Sequence, residues 1–308
     1  MSVSKINGVT WSGISKVNGV AKANVARVIS CLVTAGGGGG GGSVSTKSVV
    51  YDGVDATTLI TNQHTFSTIL YRSAYDKATI SIWVNLDGVT DTTEQNIYAS
   101  SFVNGPIATR DFLRIKRTST NNPANVVVFA NNASIDDKNS VHNAAFWKQV
   151  QAPSVAMDEW IHVCLVCKQA SGGTGYDATI FVNGSSASDT STTNPSTATN
   201  NLVYNRDAGL GSDYSPANTT FVAFEEMKLS DYIVWSDALT SSEITEIYNA
   251  GVGGFDPSTN SGNYASSADL KIHYEVGNTA EDTTEAPVTN NTGTSGNLVH
   301  TNVEFASL

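Results

Sequence analysis

The sequence predicts an all-β sandwich with one short helix, and three observations predict it. Strand-sized apolar runs recur along the chain between clusters of Gly, Asn, Asp and Ser, as strands do between turns. Helical periodicity is almost absent. Hydrophobic residues make up 40% and charged residues only 15% of the 308, a globular balance completed by the Ser, Thr and Asn of long polar loops. A chain of this length holds one large β domain or two smaller ones.

Residues 1–34 form a small β-repeat arm. Ser4-Lys5-Ile6-Asn7-Gly8-Val9 recurs as Ser15-Lys16-Val17-Asn18-Gly19-Val20, with a decayed third copy at Ala26-Arg27-Val28-Ile29. Each clear copy sets an Asn-Gly pair between strand formers, which reads as a minimal hairpin. So few units bury no core of their own. Their apolar side needs cover from identical copies in an oligomer, a trimer for example, or from a larger assembly. Ile6, Asn7, Gly8, Val9, Val17, Asn18, Gly19 and Val20 are therefore the expected anchor and oligomer contacts. Residues 35–47 follow as a linker. Its unbroken glycine run from Gly36 to Gly42 offers nothing to pack and has high chain entropy, which makes it a hinge. A phosphate cradle would need Lys-Ser/Thr after the glycines and then a helix, and neither pattern is present.

The large domain spans 48–283. Its first strand is expected in Ser48–Asp55, and others at Thr79–Val84, Phe112–Arg117, Val126–Ala130, Trp160–Cys167, Ala178–Val182, Thr220–Phe224 and Tyr232–Trp235. The stretch from Asp158 to Gly184 is the clearest. Trp160–Cys167 is apolar on both sides apart from His162, so it is expected to be a central strand buried between two layers. Ser171–Gly175 turns it into Ala178–Val182, and Asn183-Gly184 supplies a second tight turn, since both residues accept positive φ. Cys164 and Cys167 form a C-x-x-C. On a strand, residues three apart lie roughly 10 Å apart on opposite faces, beyond the roughly 7 Å that a disulfide spans. Both are expected to be buried small hydrophobes.

Thr240 and Glu243 form a capping box that starts the one helix. Ile244, Ile247 and Tyr248 share a face, and Gly251 suits its end. Leu270–Val276 alternates apolar and polar, which predicts a strand with one solvated face. Residues 284–308 form a polar tail. Its last apolar group, Leu298, Val299, Val303 and Phe305, adds one more strand or lies in a neighbouring subunit.

Several of these motifs, in their order along the chain, resemble the laminin-G-like, concanavalin A-like jelly-roll superfamily. They are Tyr51-Asp52-Gly53-Val54-Asp55, Ile80-Ser81-Ile82-Trp83-Val84, Glu159-Trp160-Ile161-His162-Val163 and Phe181-Val182-Asn183-Gly184, then Tyr232-Ile233-Val234-Trp235 running into Ala238–Ile244. They cover residues 48–250. The resemblance implies a concanavalin A-like jelly-roll sandwich, with Trp160 and His162 as fold markers rather than ligands. Ser230 departs from the pattern, where the family often has Asp, although Asp231 follows it. The N-terminal repeats are similar to those that open structural proteins of tailed phages, marine ones in particular. That likeness implies a virion protein assembled in the host cytoplasm, consistent with a first stretch, Met1–Lys5, that carries no signal-type apolar run.

The net charge of −11 and the absence of a Lys/Arg cluster argue against nucleic acid as a partner. No apolar run reaches the ~20 residues of a spanning helix, which argues against membrane insertion. Glycoside hydrolysis needs two converging carboxylates. The nearest pair, Glu225 and Glu226, is adjacent on a strand and points to opposite faces, so no enzymatic activity is expected. No cofactor is expected except Ca²⁺, for which Asp207 and Asp213, or Asp52 with Asp55, are the candidate ligands. Trp147 and Tyr214 are the best loop aromatics for stacking on a sugar ring, with Asn205 and Asp207 as polar partners. Trp83, Trp160 and Trp235 sit in strand patterns and are expected in the core. The expected function is a virion structural protein: capsid decoration, head fibre or tail appendage. It would be held by its repeats to other virion proteins and would display a lectin-like domain toward cell-surface glycans. A stand-alone lectin module is the alternative, and a glycan-degrading enzyme a further one.

Overall fold

A computed structural model describes the strands and helix named below, together with residues 86–87, 89, 92–94, 118–123, 156, 159, 183–184, 188, 211, 236–240 and 251–266. The chain divides into two units, Met1–Ser43 and Val44–Leu308. In the first, β1 (Lys5–Ile6) pairs with β2 (Val9–Thr10), and β3 (Lys16–Val17) with β4 (Val20–Ala21), both antiparallel. Ile6 stands opposite Val9 and Val17 opposite Val20. Each Asn-Gly thus separates two paired residues, as the repeat pattern predicts for a hairpin. The third copy and Gly36–Gly42 lie outside the described residues.

The second unit opens with β5 (Lys47–Asp52), β6 (Thr57–Ile60), β7 (Lys77–Asn85) and β8 (Gln95–Asn104). Next come β9 (Ile107–Arg117), β10 (Ala124–Ile135), β11 (Val141–Val155), β12 (Trp160–Gln169) and β13 (Tyr176–Val182). Short strands follow: β14 (Ser185–Ser186), β15 (Asp207–Leu210), β16 (Ser212–Ser215) and β17 (Thr220–Ala223). The longer β18 (Glu226–Trp235) leads to helix α1 (Ser241–Ala250), a 3-10 turn at Ser267–Asp269 and β19 (Leu270–Tyr274). The chain ends with β20 (Val288–Thr289), β21 (Ser295–Gly296), β22 (Leu298–Thr301) and β23 (Glu304–Ser307).

Two antiparallel sheets make the sandwich. One runs β11–β10–β9–β8–β15–β6–β22, the other β14–β13–β12–β7–β18–β5–β23, with β19 also pairing to β18. The tail therefore adds two strands rather than one: β22 joins β6 at the edge of one sheet, and β23 joins β5 at the edge of the other. One core lies between the sheets. Ile80, Ile82, Val163 and Leu165 from one side meet Leu113, Ile115, Val126 and Val128 from the other. Tyr98 of β8 stacks on Tyr232 of β18 at 6.0 Å, and Tyr232 on Tyr274 of β19 at 6.1 Å.

A second core lies outside the eight-stranded sheet, and it explains why β12 is apolar on both faces. Cys164, Val166, Phe181, Ile233 and Trp235 point outward and are covered by Leu239, Ile244 and Ile247 of the helical segment and by Phe255 and Tyr264. Cys167 belongs to the inner core, so strand geometry places the two cysteines on opposite faces, as expected. Fully burying a side chain of Ile or Leu size is worth about 1.5–3 kcal/mol, so this cover is a large contribution. Trp83 and Trp235 are buried as expected. Trp160 is only half-buried, because it begins β12 opposite Asn85, where the strand enters the sheet.

Polar contacts hold the cover in place. Thr79 Oγ1 donates to the Asp237 carbonyl at 2.7 Å and accepts from Leu239 N–H at 3.0 Å. Trp235 Nε1 donates to Tyr264 Oη, whose hydroxyl donates to the Pro257 carbonyl, both at 2.7 Å. The capping box forms as predicted, with Glu243 N–H donating to Thr240 Oγ1 and Thr240 N–H to Glu243 Oε2. Glu243 does more than cap. Its Oε1 also accepts from Ala265 N–H at 3.2 Å and from the Ser266 hydroxyl. Burial pushes this carboxyl up, but the bonds from Ser266, Thr240 and Ala265 outweigh it and hold it below its ordinary value.

The turn at Asn183-Gly184 takes φ of 51° and 75°, both positive as the sequence requires. Asn183 Oδ1 accepts from His162 N–H and Asn183 N–H donates to the His162 carbonyl, each at 2.9 Å, so the turn also fixes the start of β12. A Cβ on Gly184 would stand 2.9 Å from Tyr248 Cδ1. The face expected to be solvated on β19 is covered at His273, which is buried, while Lys271 beside it is half-buried. His273 pairs with Ile233 beneath the outer cover, with Nε2 4.0 Å from Asp231 Oδ1. Asp231 sits in a strand irregularity with φ 52°, and its Oδ2 accepts from Gly253 N–H at 2.9 Å.

Two variants test this arrangement. Glu243→Ala removes the acceptor of four donors and is expected to cost about 2–4 kcal/mol of unfolding free energy, measured in urea. The wild-type contribution is present above the ordinary carboxyl value of 4.5 and is lost as pH falls through the lowered folded value. Gly184→Ala introduces both positive-φ strain and the Tyr248 contact, and is expected to lose about 1–3 kcal/mol in the same measurement.

Candidate functional site

The outer face of the seven-stranded sheet carries a group of charged and amide side chains. Along β9, Leu113 and Ile115 enter the core, so alternation turns Arg114 and Lys116 outward. On β10 the same logic turns Val127 and Phe129 outward, where they form a small apolar cluster of their own, 6% and 8% exposed. Register sets Phe129 between Arg114 and Gln149, and Val127 between Lys116 and Gln151.

Charged and amide groups surround that cluster. Lys116 Nζ lies 5.1 Å from the centre of the Phe129 ring, within the reach of a cation–π contact. Glu94 accepts from Arg114 Nη1 at 3.3 Å and stands 3.6 Å from Lys116 Nζ. Arg114 Nε donates to Asn96 Oδ1. The side chains of Arg114, Lys116 and Glu94 are 20%, 34% and 39% exposed, so the group is held in place yet reachable. The partly exposed charged groups, rather than the Phe129 ring that Lys116 covers, are what a polar ligand such as a saccharide can meet here.

Four of the sequence candidates lie on strands. Trp147 lies on β11 rather than in a loop, because Val141–Val155 pairs with β10 along its length. It stands opposite Asn131, which stands opposite Phe112 of β9. Asp207 opens β15 opposite Ser101, itself opposite Arg110. Asp213 and Tyr214 lie on the separate β16–β17 ladder, opposite Val222 and Phe221, so Tyr214 too is on a strand. Asn205 and Glu225 are outside the described residues. Glu226 opens β18 opposite Asp52.

No group of three or more His, Cys, Asp or Glu that could hold a metal occurs among the described residues, and the carboxylates of Asp207 and Asp213 are outside that set. No helix among them is long and apolar enough to cross a membrane. Glu94, Asn96, Arg114, Lys116 and Phe129 were not expected as site residues. The signal was present in Phe112-Leu113-Arg114-Ile115-Lys116, which alternates with period two, but only the sheet order shows that its polar side is uncovered.

The sequence matches the laminin G family described as the concanavalin A-like lectin/glucanases superfamily over residues 52–245. The chain belongs to that superfamily. The jelly-roll sandwich implied by the resemblance is the fold observed. Among curated proteins, none matches the chain. Three solved structures are similar at low identity. A Bacteroides ovatus protein described as carbohydrate-binding is 16% identical with a TM-score of 0.49, covering 86% of this chain and 60% of that one. The chain thus spans about three-fifths of that structure's length. A heptameric SAP-like pentraxin from Limulus polyphemus is 13% identical with a TM-score of 0.42, covering 75% and 93%. Tailspike protein 2 of an Escherichia coli O157:H7 bacteriophage is 9% identical with a TM-score of 0.43, covering 78% and 30%.

Within this superfamily sandwich, His162 is a packing residue. Its Nε2 lies 2.8 Å from Ser81 Oγ, and its ring stands 5.0 Å from Trp83 and 6.3 Å from Tyr248. Nδ1 has no hydrogen-bond partner. Burial alone lowers its pKa from 6.5 to about 3. Between those values the unfolded chain takes up a proton that the folded chain refuses. Stability therefore falls as pH drops through 6.5 and continues to fall toward 3, by at most about 1.4 kcal/mol per pH unit. In His162→Gln that slope is expected to disappear. The wild-type advantage in urea-unfolding free energy should be largest at neutral pH and shrink at pH 5 and again at pH 4; a constant difference would show that His162 does not titrate between the two states.

Proposed function

We propose that this chain is a virion structural protein of a tailed phage, a capsid decoration, head-fibre or tail-appendage protein, whose lectin-like domain binds glycans at the host surface without cleaving them. The observation that supports glycan binding most is the outward face of the seven-stranded sheet, where Phe129 lies among Arg114, Lys116, Asn96 and Gln149. Membership of a lectin/glucanase superfamily supports the same ligand class. The anchoring role draws on β1–β2 and β3–β4. Hairpins of two paired residues per strand bury no core alone, so identical chains, in a trimer for example, or other virion proteins would cover them. Display in many copies lets weak glycan contacts add up, so one domain needs little affinity.

Two measurements test the reading. Deleting residues 1–42 is expected to abolish incorporation into particles while leaving the sandwich folded; normal incorporation of the truncated protein would remove the anchoring role. On a panel of bacterial surface polysaccharides the full chain should bind at least one and hydrolyse none. Hydrolysis that Glu226→Gln abolishes would assign catalysis to the Asp52–Glu226 neighbourhood instead.

A further inference from the structure

We propose that residues 298–307 are a tension clasp, a strap that locks the strand next to the linker against pull from the N-terminal side. The inference rests on the anchoring reading, since only a tethered domain carries such a pull. β5 is the first strand after Gly36–Gly42, so tension passing along the chain enters the sandwich at Lys47. The two neighbours of β5 divide it between them. β18 pairs with Val49, Val50, Tyr51 and Asp52, through Leu229, Lys228, Met227 and Glu226. Lys47 and Ser48 pair with β23 alone, opposite Ser307 and Ala306. Continuing the β18 register would set Ser230 against Ser48 and Asp231 against Lys47. At that point β18 loses its regular course, with a register shift after Ser230 and φ 52° at Asp231. The β18 ladder therefore stops two residues short of the linker, and β23 takes over where it stops.

β6 repeats the arrangement in the other sheet. β15 pairs with Thr58, Leu59 and Ile60, whereas Thr57 is paired by Thr301 of β22. Only residues 302–303 separate β22 from β23, so one short segment crosses from the edge of one sheet to the edge of the other. It holds the ends of β5 and β6 that β18 and β15 leave unmatched. Ser48 and Val49 are fully buried, so backbone groups there have no water to turn to when a partner strand leaves. Release of β23 is costly for that reason. With β23 in place, a pull along β5 loads the rungs on both of its sides at once. Without it, Lys47 and Ser48 lift off first and hand the load to Val49 by itself.

The test is unfolding of the full chain at constant force in two geometries. In the first, handles at Ser2 and Gln151 send the load through Lys47. In the second, handles at Gln151 and Ser186, both exposed, bypass it. Successive residues of an antiparallel strand turn their N–H groups alternately toward and away from a given partner. Of Phe305→Pro and Ala306→Pro, one therefore removes a rung to β5. That variant is expected to unfold about two- to tenfold faster than the wild type in the first geometry, the effect of one lost ladder bond, and at an unchanged rate in the second. Lys47→Cys with Ser307→Cys, oxidised, ties two facing positions and is expected to slow unfolding in the first geometry alone. Its opposite sign keeps the test decisive even if both proline variants fail to fold. Equal rates for all chains in the first geometry, or the same change in both geometries, would overturn the clasp. Normal particle incorporation without residues 1–42 would instead remove the anchoring reading and leave these rates as measured.

Discussion

The structure depends on covering the outward face of the eight-stranded sheet. Trp83, Cys164, Phe181, Ile233 and Trp235 all project away from the central core, and left in water they would form an apolar patch too large for a lone soluble domain. Helix α1 and residues 251–266 close over them. A ten-residue helix is marginal by itself, so it is held at its first turn and near its middle. Glu243 ties its first turn to Ala265 and Ser266, and Thr245 ties it to the Gly184 carbonyl. The same cover buries His162 and His273, which are therefore structural.

That cover makes the sandwich asymmetric. One sheet is buried on both faces around β12 and β18, while the other shows solvent a face on which Arg114, Lys116 and Glu94 are partly exposed. A sheet with one wet face needs polar outward residues for solubility, and such residues are normally unremarkable. Here they are not evenly mixed. Cations concentrate on β9, amides on β11, and two apolar side chains lie between them. The long flanking side chains lie over those two, which is how Val127 and Phe129 are nearly buried on an outward face. A surface organised in this way can recognise something, and it is the surface that the other sheet's cover leaves available.

Much of the framework was legible in local sequence. Thr240 with Glu243 marked the helix start, Asn183-Gly184 the tight turn, and the doubly apolar Trp160–Cys167 a central strand. Each signal depends on neighbours within a few residues, and each is a rule of backbone geometry. Strands β8, β11 and β15 were harder to see. Their sequences, such as Gln95–Asn104 and Val141–Val155, are rich in Asn, Ser, Ala and Gln, and polar small residues read as loop until a partner strand supplies their hydrogen bonds. Trp147 looked like a loop aromatic for that reason.

By itself, then, the sequence determined the fold class, the superfamily, the helix and its caps, the turn at Asn183 and the separation of the two cysteines. These follow from side-chain periodicity and from φ preferences that are local. Tertiary structure alone decided which polar faces stay wet. Lys271 and His273 alternate with apolar neighbours just as Arg114 and Lys116 do, yet His273 is buried and Arg114 is reachable. The difference is that Gly253 bonds Asp231 and Phe255 joins the cover on the outward side of β18, while nothing among the described residues covers β9. It also decided that the tail closes both sheet edges, since an edge strand's sequence shows only that it can pair, and its partner's position decides where.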